Sequence, residues 1–160
     1  MRKKSHILVA RYLADQMPAT KSLQSHRKAF CLGSILPDIK PSFIYRRHEM
    51  DGTFADLKRH IERLSEGRKV TKKTGRKYYM DLGQISHYLA DYFTFPHNNH
   101  YPGNVKDHCY YERDLKYGMK AFLKTEEALK IKEQVVAYDS VEELTSYIRS
   151  IHNSYMKLAH

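Results

Sequence analysis

Apolar residues recur along this chain at spacings of three and four, the period of helices that bury one face. Ile7, Leu8, Tyr12 and Leu13 share a stripe, which predicts a helix from an N-cap at Ser5 to Met17, ended by Pro18. A second helix is expected from Lys21 to Leu32, followed by the Gly- and Pro-punctuated loop Gly33 to Pro41 that carries Asp38. Asp51-Gly52 reads as a turn, with Thr53 capping a helix to about Arg68 whose inward stripe is Phe54, Leu57, Ile61 and Leu64. The longest helix is expected from Lys77 to Phe95, with Tyr79, Met80, Leu82, Ile85, Leu89 and Phe93 in the core and Pro96 closing it. After a loop over 96–105, another helix carries His108, Glu112, Leu115, Met119 and Phe122, and a shorter one covers Glu126 to Val136. Ser140 and Glu143 form a capping box for the last helix, with Leu144, Ile148, Ile151, Tyr155 and Leu158 inward. No segment alternates as a strand does. The expected fold is all-α, a single compact multi-helix domain over residues 1–160.

Composition narrows the class. The 160 residues are 41% hydrophobic and 29% charged, with 13 Tyr and no Trp, as in a globular domain with a real core. No apolar run approaches the roughly 20 residues a membrane helix needs. The basic start lacks the apolar stretch of a signal peptide because Arg11 interrupts it, so a cytoplasmic location is expected. Cys31 and Cys109 are too few for a disulfide framework and form no Cys-x-x-Cys pair, which argues against a thiolate zinc site. The net charge of +10 favours polyanions or anionic surfaces without choosing among them. Residues 68–77 hold six positive charges and read as a solvated connector, or as a contact for an anionic surface.

The chemistry lies in the histidines, of which there are ten. His87 and Asp91 stand four apart in the longest expected helix, so their side chains are offset by only about 40° around its axis. His97 follows directly after Pro96, and His108 and Glu112 repeat the His-x-x-x-carboxylate spacing. Two imidazole–carboxylate pairs on neighbouring helices suit a multinuclear metal site in a helical protein. One such histidine means little, because a lone His on an apolar face is usually a packing residue. Asp38 alone would be read as a helix cap.

The ordered set His6, Asp38, His48, His87-x-x-x-Asp91-x-x-x-x-x-His97, His108-x-x-x-Glu112 resembles the zinc-dependent phospholipase C family, which shares its fold and three-zinc site with the S1/P1-type nucleases. The resemblance spans His6 to Glu112 and implies a zinc cluster of two or three ions between the helices. Asp38, His48, His87 and Asp91 would hold one zinc, and Asp91 would bridge to a second that also takes His6. His97, His108 and Glu112 would hold the third. It implies a phosphodiester hydrolase in which zinc-activated hydroxide attacks phosphorus, with Asp38 orienting or deprotonating the water. In secreted relatives an N-terminal Trp, exposed by removal of a leader, completes the second zinc's shell. This chain has no Trp. The Met1 amine is a candidate replacement, although a flexible start argues against it, so the His6 metal is expected to be weak, water-completed or absent.

A phospholipid head group and a nucleotide are both open as substrates. Lipid cleavage would use Tyr92, Phe95 and Tyr101 at the mouth of the site; nuclease action would use aromatic stacking and basic rails. A His-Asp phosphohydrolase needs an adjacent His-Asp pair, which the chain lacks. The remaining alternative is a non-catalytic helical binding protein held together by metal.

Overall fold

The computed structural model describes residues 1–16, 21–39, 49–66, 72–99, 101–130 and 136–159. The helices are α1 (Lys3–Gln16), α2 (Lys21–Gly33), α3 (Met50–Ser65), α4 (Lys72–Tyr92), α5 (Val105–Phe122), α6 (Glu126–Lys130) and α7 (Val141–Leu158), with a 3-10 turn at Phe95–His97 between α4 and α5. Among the described residues there is no strand, and no helix is long and apolar enough to cross a membrane.

α4 is the spine, because it contributes to both apolar clusters. On one side Met50, Phe54, Leu57 and Ile61 of α3 meet Ile85 and Tyr92 of α4 and Ile148 of α7. On the other, Ala10 and Ala14 of α1 and Leu23, Ala29 and Phe30 of α2 close over Tyr79. Full burial of each larger apolar side chain stabilises the fold by roughly 1.5–3 kcal/mol. The α2–α4 crossing is unusually close. A Cβ on Gly33 would collide with the Met80 backbone, and one on Gly83 with the Phe30 carbonyl. Two glycines facing each other allow backbone-to-backbone contact, and that contact fixes where the loop after α2 emerges.

Several boundaries differ from the sequence expectation. Ser5 is buried inside α1, which starts at Lys3, so it is not the N-cap. α3 starts at Met50; Thr53 lies within it, its hydroxyl donating to the Glu49 carbonyl at 2.7 Å. Asp51-Gly52 is therefore helical rather than a turn. α4 begins at Lys72, so part of the basic run is helix; residues 67–71 lie outside the described residues. It ends at Tyr92, before Pro96, which sits in the 3-10 turn. Ser140 caps α7 through the Glu143 N–H at 3.0 Å, but the Glu143 carboxylate reaches back to Asp139 rather than Ser140. Leu158, expected inward, is 87% exposed, because nothing described covers the end of α7. The 131–135 stretch of the expected 126–136 helix lies outside the described residues.

Candidate metal centre

Five short pieces of chain deliver the polar residues. The first turn of α1 supplies His6, the loop after α2 supplies Asp38, and the C-terminal half of α4 supplies His87 and Asp91. The 3-10 turn supplies His97, and the first turns of α5 supply His108 and Glu112. α5 starts firmly: the Asn104 side chain accepts from the Lys106 and Asp107 N–H groups, and the Asp107 carboxylate returns the bond to the Asn104 N–H. That capping box escapes the usual Ser/Thr–Glu pattern, although Asn and Asp do the same work.

A deep group forms around α4. The rings of His6 and His87 stack with centroids 3.9 Å apart. Asp91 lies beneath them, Oδ1 being 3.2 Å from His6 Nε2 and Oδ2 3.1 Å from His87 Nε2. All three residues are essentially inaccessible to solvent. Asp38 approaches both rings, at 3.8 Å from His87 Nε2 and 4.0 Å from His6 Nε2. His87 Nδ1 is 2.9 Å from the Ser34 carbonyl, which can only accept, so that nitrogen carries a hydrogen and Nε2 is the ring atom that faces the carboxylates. The Gly33–Gly83 approach is what brings Ser34 within reach. Burial lowers the pKa of His6, against the raising pull of Asp91, and the neighbouring His87 and N-terminal charge lower it further. Among the described residues neither His6 ring nitrogen has an aligned hydrogen-bond partner. A buried imidazole left that way is costly in a purely structural role and suited to a metal.

The shallower group is His97, His108 and Glu112. Glu112 Oε1 lies 3.2 Å from His97 Nε2 and 3.2 Å from His108 Nε2. Between the two groups sits the α-amino group of Met1, 2.5 Å from Asp91 Oδ1, 2.6 Å from His97 Nε2 and 3.2 Å from Glu112 Oε1. The N-terminus is thus buried and held, contrary to a flexible start. Burial by itself would raise the Glu112 carboxyl; hydrogen bonds from His97, the Met1 amine and His108, with the amine's charge, outweigh it and hold the pKa at about 2. Asp91 reaches both groups, its Oδ2 lying 3.7 Å from His97 Nδ1.

In each group one candidate ligand atom per residue falls within 4.8 Å of the others, in the sets His6–His87–Asp91 and His97–His108–Glu112. The donors are imidazole nitrogen and carboxylate oxygen without thiolate, the set of catalytic zinc sites. The residues present therefore fit zinc. His6, expected on a second zinc bridged by Asp91, lies in one group with His87 and Asp91. His48 lies outside the described residues.

The aromatic expectations divide. Tyr92 does not reach the mouth: it is fully buried in the core, and its hydroxyl is paired with Thr53 at 2.9 Å. It belongs to the apolar side of α4, one step around the helix from Asp91. Phe95 is half-buried and meets Tyr101 edge-on at 5.4 Å, and Tyr101 lines the cleft. The sequence did not expose the role of Asn98. Its buried amide donates to the Tyr92 and Thr94 carbonyls and its Oδ1 faces His152 Nε2 at 2.9 Å, which pins the turn that presents His97. An Asn beside a Pro-His turn was the available signal.

A cleft of about 950 Å³ opens over the shallower group, with Asp38, His97, His108, Glu112 and Tyr101 among its walls. Arg2, Lys3, Lys4 and Lys116 stand around it. Lys3 and Lys4 open α1, whose first turn has no acidic residue, although a helix N-terminus disfavours cations. Arg2 is tied in place, donating to the Cys109 carbonyl at 2.8 Å.

These features define an all-helical protein with two adjoining groups of nitrogen and oxygen donors that could hold metal ions, the shallower of them lining an open cleft. The chain belongs to the zinc-dependent phospholipase C family, whose family model matches residues 5–160. No curated protein and no solved structure gives a significant match.

Proposed function

We propose that the protein is a zinc-dependent phosphodiester hydrolase of the phospholipase C type. The observation that carries this is the pair of donor groups joined by Asp91, the shallower of which lines, together with Asp38, a cleft large enough for a head-group phosphodiester. His6, His87, Asp91 and Asp38 would hold zinc in the deep group, and the family resemblance adds His48 to the ligands. His97, His108 and Glu112 would hold it in the shallower one, and the Met1 amine is a further nitrogen donor between them. Two or three ions are expected. Bound zinc supplies Lewis acidity, which acidifies water and neutralises charge on a phosphoryl oxygen.

The chain's own residues do the rest. The Ser34 carbonyl fixes the tautomer and orientation of His87. Asp38 lies both in the cleft wall and beside the deep histidines, where it can orient the attacking water and take its proton. As the water oxygen bonds to phosphorus, the bond from phosphorus to the leaving alcohol breaks. Tyr101, Pro96 and Val105 give the cleft an apolar wall for the organic part of the substrate.

Metal content by mass spectrometry, combined with turnover of a generic phosphodiester, a choline phosphodiester and single-stranded DNA, tests the proposal. Wild type is expected to hold stoichiometric zinc and to prefer the lipid-type diesters. Asp91→Ala is expected to lose metal and at least about 100-fold in turnover, the upper range for removing even a supporting group of a zinc site. Unchanged metal content and turnover in Asp91→Ala would sink it, and exclusive action on DNA would move the assignment to a nuclease.

A further inference from the structure

α5 carries a second pattern besides its ligands. Successive residues of a helix are offset by about 100°, which places Lys106, Tyr110, Arg113, Tyr117 and Lys120 within an arc of about 80°. Tyr110 is 46% and Tyr117 59% exposed, high values for rings of this size. Their faces are covered by cations: Lys106 Nζ lies 5.8 Å and Arg113 Cζ 5.0 Å from the Tyr110 centroid, and Lys116 Nζ lies 4.3 Å from that of Tyr117. The acidic residues are segregated. Glu112 points into the metal centre, while Asp107 and Asp114 fall beyond the stripe, on the side away from the cleft. Asp114 takes part of the Arg113 charge, at 2.9 Å. No residue of α5 is fully buried, so the helix lies on the surface along its whole length.

The arc next to the stripe holds Val105, Cys109 and Lys116, which line the cleft. Arg2, Lys3 and Lys4 complete the basic rim from α1. Whatever docks on the stripe therefore meets the cleft entrance.

We propose that this stripe docks the protein on an anionic lipid surface and so delivers head groups to the cleft. Lysines and arginines bind an anionic leaflet, and tyrosines favour the head-group layer, where the ring is half-shielded and the hydroxyl stays wet. Single-stranded nucleic acid would need open ring faces in a groove for base stacking. Here the faces are occupied by cations and the helix is convex, which suits a broad planar partner. The delivery step rests on the hydrolase assignment; the docking itself does not.

The test is co-sedimentation of the purified protein with vesicles of phosphatidylcholine alone and of phosphatidylcholine containing phosphatidylserine, at low and high salt. Binding is expected only to the anionic vesicles and is expected to weaken with salt. Lys106→Glu/Arg113→Glu/Lys120→Glu is expected to weaken it on the order of 100-fold, from loss of three surface-facing cations. Tyr110→Ser/Tyr117→Ser is expected to weaken it less, and both variants should keep wild-type circular dichroism and turnover of a water-soluble phosphodiester. Should the charge reversal misfold, the corresponding Gln variant replaces it. Equal binding to neutral vesicles, wild-type binding by the folded charge variant, or tighter binding of single-stranded DNA through the same residues would overturn the proposal. Vesicle binding without turnover of any diester sinks the hydrolase and leaves the surface; turnover without vesicle binding does the reverse.

Discussion

Asp91 does the most with the fewest atoms. One oxygen faces His6 and the Met1 amine, the other His87 and His97. Such a carboxylate needs positive charge nearby, and in this structure the Met1 ammonium supplies it. Glu112 is in the same position, and its low pKa has a consequence for stability. The unfolded carboxyl titrates near 4.5 and the folded one near 2, so the stabilisation is complete above pH 4.5 and is lost as pH falls toward 2. His6 works in the same direction from a higher start. Its folded pKa lies below 6.5, so acidification below that value protonates the unfolded chain first. The metal-free protein is therefore expected to lose stability in two stages on acidification. Urea midpoints measured against pH should show both, and Glu112→Gln should abolish the lower one.

Among the elements, the crossing of α2 and α4 matters most to the site. Gly83 lets α4 approach the Phe30 carbonyl, and that approach places the Ser34 carbonyl on His87. Gly83→Ala is expected to cost about 1–3 kcal/mol by overpacking and to weaken metal binding about 10–100-fold, through loss of the bond that orients His87. Thermal unfolding and competition with a zinc chelator would separate the two effects. Normal stability and normal affinity together would show that the crossing is not needed. The helices themselves were largely legible in the chain, since most of them carry an apolar stripe of period 3.6. Their ends were less so. Ser5, Thr53 and Gly52 look like caps and turns by residue type, yet Ser5 and Thr53 are buried within helical turns and the exposed Gly52 is carried into α3 beside Thr53.

At the scale of the molecule, the candidate metal centre joins parts of the chain that are distant in sequence. α1, the loop after α2, α4, the 3-10 turn and α5 meet there and only partly elsewhere, and α5 in particular buries no residue of its own. Zinc bound only to the folded state stabilises it by mass action, by about 2.7 kcal/mol at 100 times Kd. Removing zinc with a chelator is expected to lower the melting temperature by at least about 5 °C for a chain of this length, with restoration on adding zinc back. The loss of protection should concentrate in α5, and hydrogen exchange would locate it. A melting temperature indifferent to zinc and chelator would mean that the helices alone hold the centre in place.

The sequence by itself determined the helical class and the chemical type of the site. Periodicity and ligand spacing are local properties: His87 and Asp91, or His108 and Glu112, share a face in any α-helix. Tertiary structure decided what local spacing cannot. It stacked His6 on His87, brought the Met1 amine between the two donor groups, and turned Tyr92 into the core although its neighbour Asp91 serves the site. One residue step along a helix is about 100° of rotation, and only the packing of α1, α2 and α3 around α4 says which of two neighbours faces the histidines and which the apolar core.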